Sequence, residues 1–556
     1  MKASDLFIKC LENEGVERIF GVPGEENADF MMSLKKSNKI KFVLCRHEQA
    51  AAFMADVYGR LTGKAGVCLS TLGPGVTNLI TGLADANMDY APVVAIIGQG
   101  STQRLHKESH QIMDSISMLQ PVSKWAQTIF KATNITEVVR KAFKVAETEK
   151  PGVTVIELPE DIAKDEVNDI PIEPRLIRRP AADNRAISEA LDLILQAKNP
   201  IILAGNGTIR KRASNRLRVL TKNLGIGVIN TFMGKGSISM DDEHCLFTIG
   251  LGSGDFNNLA IDESDLVIAA GYDLVEYSPS AWNRIDRRKK KIIHIDYMPA
   301  EIDRDYLPSV EIVSDLAGAL YQMNKALIDR IGRQNLPLFN IKSRKKLRDI
   351  MQNDLKLDNL SNSFPMKPQR VLADVKRVMD EDDIIIADVG AHKMWVAREY
   401  NCVRPNTCLI SNGFCTMGFA LPGSIGAKMA FPEKKIISIN GDGGFLMNVQ
   451  DLETAVRYKI NVVALVWLDG AYGLIKWKQN VHFEGEQSDL KFNNPNFEAL
   501  AKSFGMWGKT IKSPDELIPS IKEAFTQSGP AIIGIPINYS ENMRLTERLG
   551  KVSALI

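Results

Sequence analysis

Gly441-Asp442-Gly443-Gly444-Phe445 follows the apolar run Lys435–Asn440 and precedes a helical pattern that begins at Val449. A strand that ends in a glycine-rich turn at a helix N-terminus gathers bare backbone N–H groups at the positive end of a dipole. That combination is a seat for phosphate. An aspartate inside the turn suits Mg²⁺, which takes carboxylate together with phosphate oxygens. Asp469 follows the next apolar run, Val462–Trp467. Adjacent parallel strands that both end in aspartates build an oxygen-rich cation site at one sheet edge. An ordinary βα turn and an ordinary N-cap use the same residues, so the signal lies in the pair.

A second group lies near the start of the chain. Arg46-His47-Glu48 follows the run Lys41–Leu44 and opens the alanine-rich helix Ala50-Ala51-Ala52-Phe53-Met54-Ala55. A carboxyl at a strand end, set against an apolar cleft, is poised to share a proton. Taken alone, Glu48 reads first as the favourable charge of a helix N-terminus. Ser70-Thr71-Leu72-Gly73-Pro74-Gly75-Val76-Thr77-Asn78 is a further glycine-rich turn after a strand. Alone it is a βα loop.

Together these segments closely resemble the thiamine-diphosphate-dependent enzyme family, through RHEQAAAFMADVYGR, STLGPGVTN and GDGGFLMN with the later WLDGAYG. Within that family, Tyr272–Pro279 with Trp282-Asn283 and His294-Ile295-Asp296 resemble the catabolic, flavin-independent acetolactate synthases, and His110-Gln111 with Lys124 and Thr416–Pro422 resemble acetolactate synthases in general. The resemblance covers nearly the whole chain. It implies decarboxylation of pyruvate and joining of the remaining fragment to a second pyruvate, giving 2-acetolactate and CO₂. That product would serve acetoin and butanediol or branched-chain amino acid metabolism.

The same resemblance implies residue roles. Glu48 bonds N1′ of the aminopyrimidine, and Gln111 and Lys124 stand near the substrate. The carbonyls of Cys415 and Met417 hold the aminopyrimidine, and the Met417 side chain bends the cofactor. Asp442, Asp469 and the carbonyl of Ala471 ligate Mg²⁺. Gly443, Gly444, Gly390 and His392 hold the diphosphate, and Gly24, Gly73, Asn78 and Tyr472 complete the cofactor contacts. Many relatives carry asparagine after the second metal aspartate, where this chain has Gly470. FAD is not expected. Glu48 and Asp442 come from different subunits in the family, so a homodimer or homotetramer is implied.

These residues need a frame of strands and helices. Short β-branched runs recur, each followed by a longer helical segment, as at Gly66–Leu69, Pro92–Ile97, Val153–Leu158, Pro200–Ala204, Ile226–Asn230, Leu266–Ala270, Ile292–Ile295, Asp383–Ala387 and Ala531–Ile535. Continuous apolar strands alternating with helices predict α/β layers on buried parallel sheets. Proline-rich Lys164–Pro180 and polar Ile331–Pro368 interrupt the rhythm. The chain thus divides into a pyrimidine-binding domain (1–165), a central domain (185–332), a diphosphate-binding domain (365–540) and a tail (541–556), each domain a doubly wound parallel sheet.

Composition fits this frame. At 45% hydrophobic and 24% charged residues, with a net charge of +2, the 556-residue chain can bury several cores. Nothing in that balance points to nucleic acid or to an anionic membrane. The basic run Arg284–Lys291 leads into the strand Ile292–Ile295 and reads as a solvated turn. No stretch approaches the roughly 18 apolar residues of a membrane span. The seven cysteines form no CxxC pair, which predicts a reducing, cytoplasmic setting.

Two rivals stand beside the reading. Another thiamine-dependent 2-oxo-acid decarboxylase or carboligase would keep the same site residues. Gly205-Asn206-Gly207 after Pro200–Ala204 invites a nucleotide-binding homologue, although the third glycine and the later acidic residue of a dinucleotide fingerprint are missing.

Overall fold

The computed structural model describes residues 1–210, 212–251, 255–285, 290–542 and 545. The predicted tail 541–556 lies almost wholly outside the described residues, as does the middle of the basic run Arg284–Lys291.

Three six-stranded sheets, parallel throughout, organise the molecule. The first contains β1 (Arg18–Gly21), β2 (Lys41–Leu44), β3 (Gly66–Ser70), β4 (Val93–Gln99), β5 (Trp125–Thr128) and β6 (Val153–Pro159), in the order β2-β1-β3-β4-β6-β5. The second contains β7 (Pro200–Ala204), β8 (Gly227–Asn230), β9 (Cys245–Thr248), β10 (Leu266–Ala270), β11 (Lys291–Asp296) and β12 (Val310–Val313), in the order β12-β11-β10-β7-β8-β9. The third contains β13 (Ile384–Ala387), β14 (Cys408–Ile410), β15 (Ile436–Gly441), β16 (Val463–Leu468), β17 (Trp507–Thr510) and β18 (Ala531–Pro536), in the order β14-β13-β15-β16-β18-β17. The predicted class, α/β with three parallel sheets, is the observed one.

The interior strands are apolar without interruption because both of their faces are buried. Val93, Ala95 and Ile97 of β4 point into a core shared with the third sheet, whereas Val94 and Ile96 point into an outer core under helices Ala3–Asn13 and Ile135–Glu147. In β13, Ile384 and Ile386 face the first sheet's core, and Ile385 and Ala387 face a core continuous with the middle sheet. The period of two therefore sorts alternate residues into different cores.

The strands that the sequence rhythm passes over are β1 and the edge strands β5, β9, β12, β14 and β17. Edges are short or half-exposed: β14 has three residues, and every residue of β17 is only partly buried.

Glycine and a cap set the helix that follows β2. Helix Glu48–Thr62 starts at His47, whose ring accepts the Gln49 N–H, and stops at Gly63, whose φ of 69° favours glycine. The basic segment after residue 332 is the helix Lys342–Lys356, which packs Leu347 and Met351 into the middle core.

Candidate active site

In parallel sheets, ligands gather at the carboxyl ends of the strands, and the predicted residues of the third domain lie there. β15 and β16 are paired neighbours. The first runs into the short helix Asp442–Phe445, and the second ends one residue before Asp469. Asp442 is 1% exposed. Its Oδ2 accepts the N–H groups of Asp469 at 3.1 Å and Gly470 at 2.8 Å and the side-chain amide of Asn494 at 2.7 Å. Its Oδ1 accepts the Gly443 N–H at 2.9 Å. Burial, with Asp442 alongside, lifts the Asp469 carboxyl to about 7. Carboxyls placed alongside each other on neighbouring strand ends suit a divalent cation.

Gly390, His392, Met417, Gly441–Gly444, Asp469, Ala471 and Tyr472 all line one cavity. The His392 ring is buried, its Nε2 has no partner, and burial pushes its pKa down to about 3, so it is neutral. A Cβ on Gly441 would stand 3.1 Å from that ring, and one on Gly443 2.9 Å from the Tyr472 ring. Bare glycines, an orphaned imidazole nitrogen and paired carboxylates fit a diphosphate with its divalent cation. Among the described residues no three His, Cys, Asp or Glu side chains cluster as a metal site. A cation here would therefore draw on carbonyl and phosphate oxygens as well.

Sequence reasoning missed three residues that shape this site. Asn494 lies on a strap whose Leu490 carbonyl accepts the Tyr472 N–H at 3.2 Å and whose Phe492 N–H donates to the Gly470 carbonyl at 3.0 Å. Asp388, wholly buried, accepts the N–H groups of Val389, Gly418 and Phe419, while burial lifts it to about 7. Asn448 donates to the Gly418 carbonyl at 2.8 Å. Asp388 and Asn448 fix the turn Cys415–Gly418, in which Cys415 (φ 64°) and Gly418 (φ 86°) are left-handed. Asp388 left a trace in the sequence as an acid directly after an apolar run, and Asn448 closes the GDGGFLMN segment. Asn494 left none.

The first domain gathers a second cluster. Glu48, 7% exposed, begins its helix and accepts the Asn78 side-chain amide at 2.9 Å. A Cβ on Gly75 would approach Glu48 Oε1 to 3.4 Å. Gly73 is left-handed (φ 52°), and a Cβ there would meet the Gln111 carbonyl at 2.7 Å. At Gly24 it would meet the Thr71 side chain at 2.3 Å. Thus Gly24, Glu48, Gly73, Asn78 and Gln111 come together at the carboxyl ends of β1 to β4.

Lys124 does not join them. Its ammonium donates to the carbonyls of Val145 (2.7 Å), Thr148 (3.0 Å) and Lys150 (2.7 Å) at the end of helix Ile135–Glu147, and burial lowers it to about 8. Its three donor positions satisfy carbonyls at that helix end, away from the Glu48 cluster of the same chain.

Within one chain the two clusters follow strands of different sheets. Helix Glu48–Thr62 packs antiparallel on helix Ala420–Ala430: Met54 meets Gly426, Val57 meets Gly423, and the Phe419 ring lies between the Arg60 guanidinium and the Phe53 ring.

Three family models match the chain in order. The thiamine pyrophosphate enzyme N-terminal TPP binding domain covers residues 1–118, the central domain 187–323 and the C-terminal TPP binding domain 388–535. The acetolactate synthase of Bacillus subtilis (strain 168) is 34% identical over 98% of this chain and 94% of its own length. The catabolic acetolactate synthase of Raoultella terrigena is 34% identical over 98% of this chain and 97% of its own. A probable acetolactate synthase large subunit of Methanocaldococcus jannaschii is 36% identical over 100% of this chain and 95% of its own.

Proposed function

The chain belongs to the thiamine pyrophosphate enzyme family, among the acetolactate synthases, and from that premise we propose that it converts two molecules of pyruvate into 2-acetolactate and CO₂. The observation that carries this reading is the single cavity in which Asp442, Asp469, His392, the bare glycines and Met417 meet. When bound, thiamine diphosphate supplies the nucleophilic carbon and the electron sink that decarboxylation of a 2-oxo acid needs.

The protein supplies position and proton control. Asp442, Asp469 and the Ala471 carbonyl would hold Mg²⁺, with Gly443, Gly444, Gly390 and His392 around the diphosphate. A neutral His392 can donate one hydrogen bond without adding charge. The Cys415 and Met417 carbonyls would hold the aminopyrimidine, on a turn that Asp388 and Asn448 keep rigid. Glu48, fixed by Asn78, would take and return the proton at N1′. Gln111, exposed beside Gly73, is left as the first domain's substrate-side residue.

As the family resemblance implies, Glu48 and the Met417 and Asp442 side of one site come from different subunits. A complete site therefore draws Glu48 from a second copy, which supports a homodimer or a pair of dimers. Mixing inactive Glu48→Gln and Asp442→Asn subunits tests this. A shared site recovers about a quarter of native activity, because half of the dimers are mixed and each has one intact site. A site within one chain recovers none.

The middle domain supports a flavin-free enzyme. Its strand order is the dinucleotide-binding one, but the Gly205–Gly207 turn is already filled. The Glu276 carboxylate accepts the Asn206 N–H at 3.0 Å, the Asp273 N–H at 3.1 Å and the Thr231 hydroxyl. Burial holds Glu276 up near 7. An internal acid in this seat leaves no donors for a diphosphate.

The deciding assay supplies pyruvate, thiamine diphosphate and Mg²⁺. Acid treatment that converts the product to acetoin supports acetolactate synthesis, whereas acetaldehyde as the main product favours a decarboxylase. Full activity without FAD, and a purified protein with no flavin absorbance, support the middle-domain reading.

A further inference from the structure

A buried ammonium without a counter-ion stands beside the cavity. Lys393, in the first turn of helix Ala391–Glu399, is 4% exposed. Its Nζ donates to Cys415 Sγ at 2.9 Å and lies 5.5 Å from the centre of the Phe232 ring. Among the described residues no carboxylate lies within ion-pair distance of it. A thiol and a ring face return only part of the hydration that a buried ammonium gives up. Buried charges in folded proteins are paired, and here the missing partner is an anion.

The position says which anion. His392, the preceding residue, and Met417, two residues beyond Cys415, both line the cavity. Lys393 thus stands on the helix, and against the turn, that border the cavity. The diphosphate already has bare N–H groups, His392 and a cation site of its own. The 2-oxo acid brings the one negative charge still unmatched.

Two such acids enter the reaction, and they differ in the fate of their carboxylates. The first loses its carboxylate as neutral CO₂, so an ion pair holding that group would favour the ground state and oppose the step. The second keeps its carboxylate in 2-acetolactate. Resting on the carboligase reading above, we propose that Lys393 receives the carboxylate of the acceptor acid and so selects a 2-oxo acid over an uncharged aldehyde. No bond forms or breaks at the lysine. Its ion pair with the acceptor lasts from binding to product release.

Lys393→Met removes the charge and keeps the length. The native enzyme and the variant are given pyruvate with added acetaldehyde, thiamine diphosphate and Mg²⁺, and acetolactate, acetoin and CO₂ are measured. The ratio of acetolactate to acetoin should fall at least about tenfold in the variant, the lower bound for a lost hydrogen bond to a charged group. Single-turnover CO₂ release and the half-saturating thiamine diphosphate should stay within about twofold, because both precede acceptor binding. Lys393→Arg should restore most of the ratio.

An unchanged ratio overturns the proposal. So does a fall in cofactor affinity, which would give the ammonium to the diphosphate. An equal shift in Cys415→Ser overturns it too, because the anion would then be the Cys415 thiolate. If the native enzyme itself forms no acetolactate, the carboligase reading fails, and that outcome is separate from the lysine's.

Discussion

The first and third sheets run their strands in one order, β2-β1-β3-β4-β6-β5 and β14-β13-β15-β16-β18-β17, and both gather their loops at the carboxyl ends. Yet they hold different chemistry. After its second strand the first domain places Glu48, held by Asn78, and after its third the neutral turn Thr71–Gly75. The third domain reverses this. Its second strand leads to the backbone turn Cys415–Gly418, and its third leads to Asp442. In the proposed reading, one frame thus presents a proton-sharing acid in one copy and a cation-and-phosphate seat in the other. The lesson is that strand order supplies places and side chains supply function.

If the two domains divide the work this way, each can be disabled without emptying the other. Glu48→Gln keeps a hydrogen bond but cannot exchange a proton. Acetolactate formation should fall at least about a hundredfold. Cofactor and Mg²⁺ binding, followed by tryptophan fluorescence, should stay close to native. A variant that binds no cofactor breaks the comparison, because Glu48 would then belong to the seat as well.

Asn494→Ala should do the reverse. Removing the amide that steadies Asp442 should raise the Mg²⁺ needed for half-saturation by about 10- to 100-fold, as for other partners of metal ligands. Excess Mg²⁺ should recover turnover. Neighbouring Asn493→Ala, an exposed change, should leave the titration alone. Equal effects at both positions would assign the strap's packing, not the amide, to the site.

The smallest effect concerns Asp388, which has no counterpart among the first domain's turn contacts. Its folded pKa of about 7 lies above the ordinary 3.8 because of burial. The folded state therefore holds this proton more tightly than the unfolded chain does. The stability so gained is full below about pH 4 and is lost as pH rises to about 7. Urea midpoints measured across that range should decline, and Asp388→Asn should flatten this part of the decline. An unaltered slope in the variant would show that Asp388 keeps its charge in the folded protein.

Much of this was legible in the residues themselves. Interior strands such as β4, β10 and β16 announce themselves as unbroken apolar runs, because a strand buried on both faces tolerates nothing else. The Gly441–Gly444 turn and Asp469 stand directly after such runs, so their place at the carboxyl edge followed from chain order alone, whereas Glu48 follows the half-exposed edge strand β2. Edge strands such as β17, half wet, carry no such pattern.

What tertiary structure alone decided are meetings between distant segments. Lys124 has the residue type for a substrate contact, but a neighbouring helix end takes its ammonium. Asn494 reaches Asp442 across a strap without regular structure. Glu276 fills the one turn that resembled a nucleotide site. The antiparallel packing of helices Glu48–Thr62 and Ala420–Ala430 joins the first and third domains through Phe53, Arg60 and Phe419. Local sequence determines elements because burial and backbone geometry act over a few residues. Which side chain satisfies which partner depends on how whole elements cross, and no short stretch of sequence encodes that.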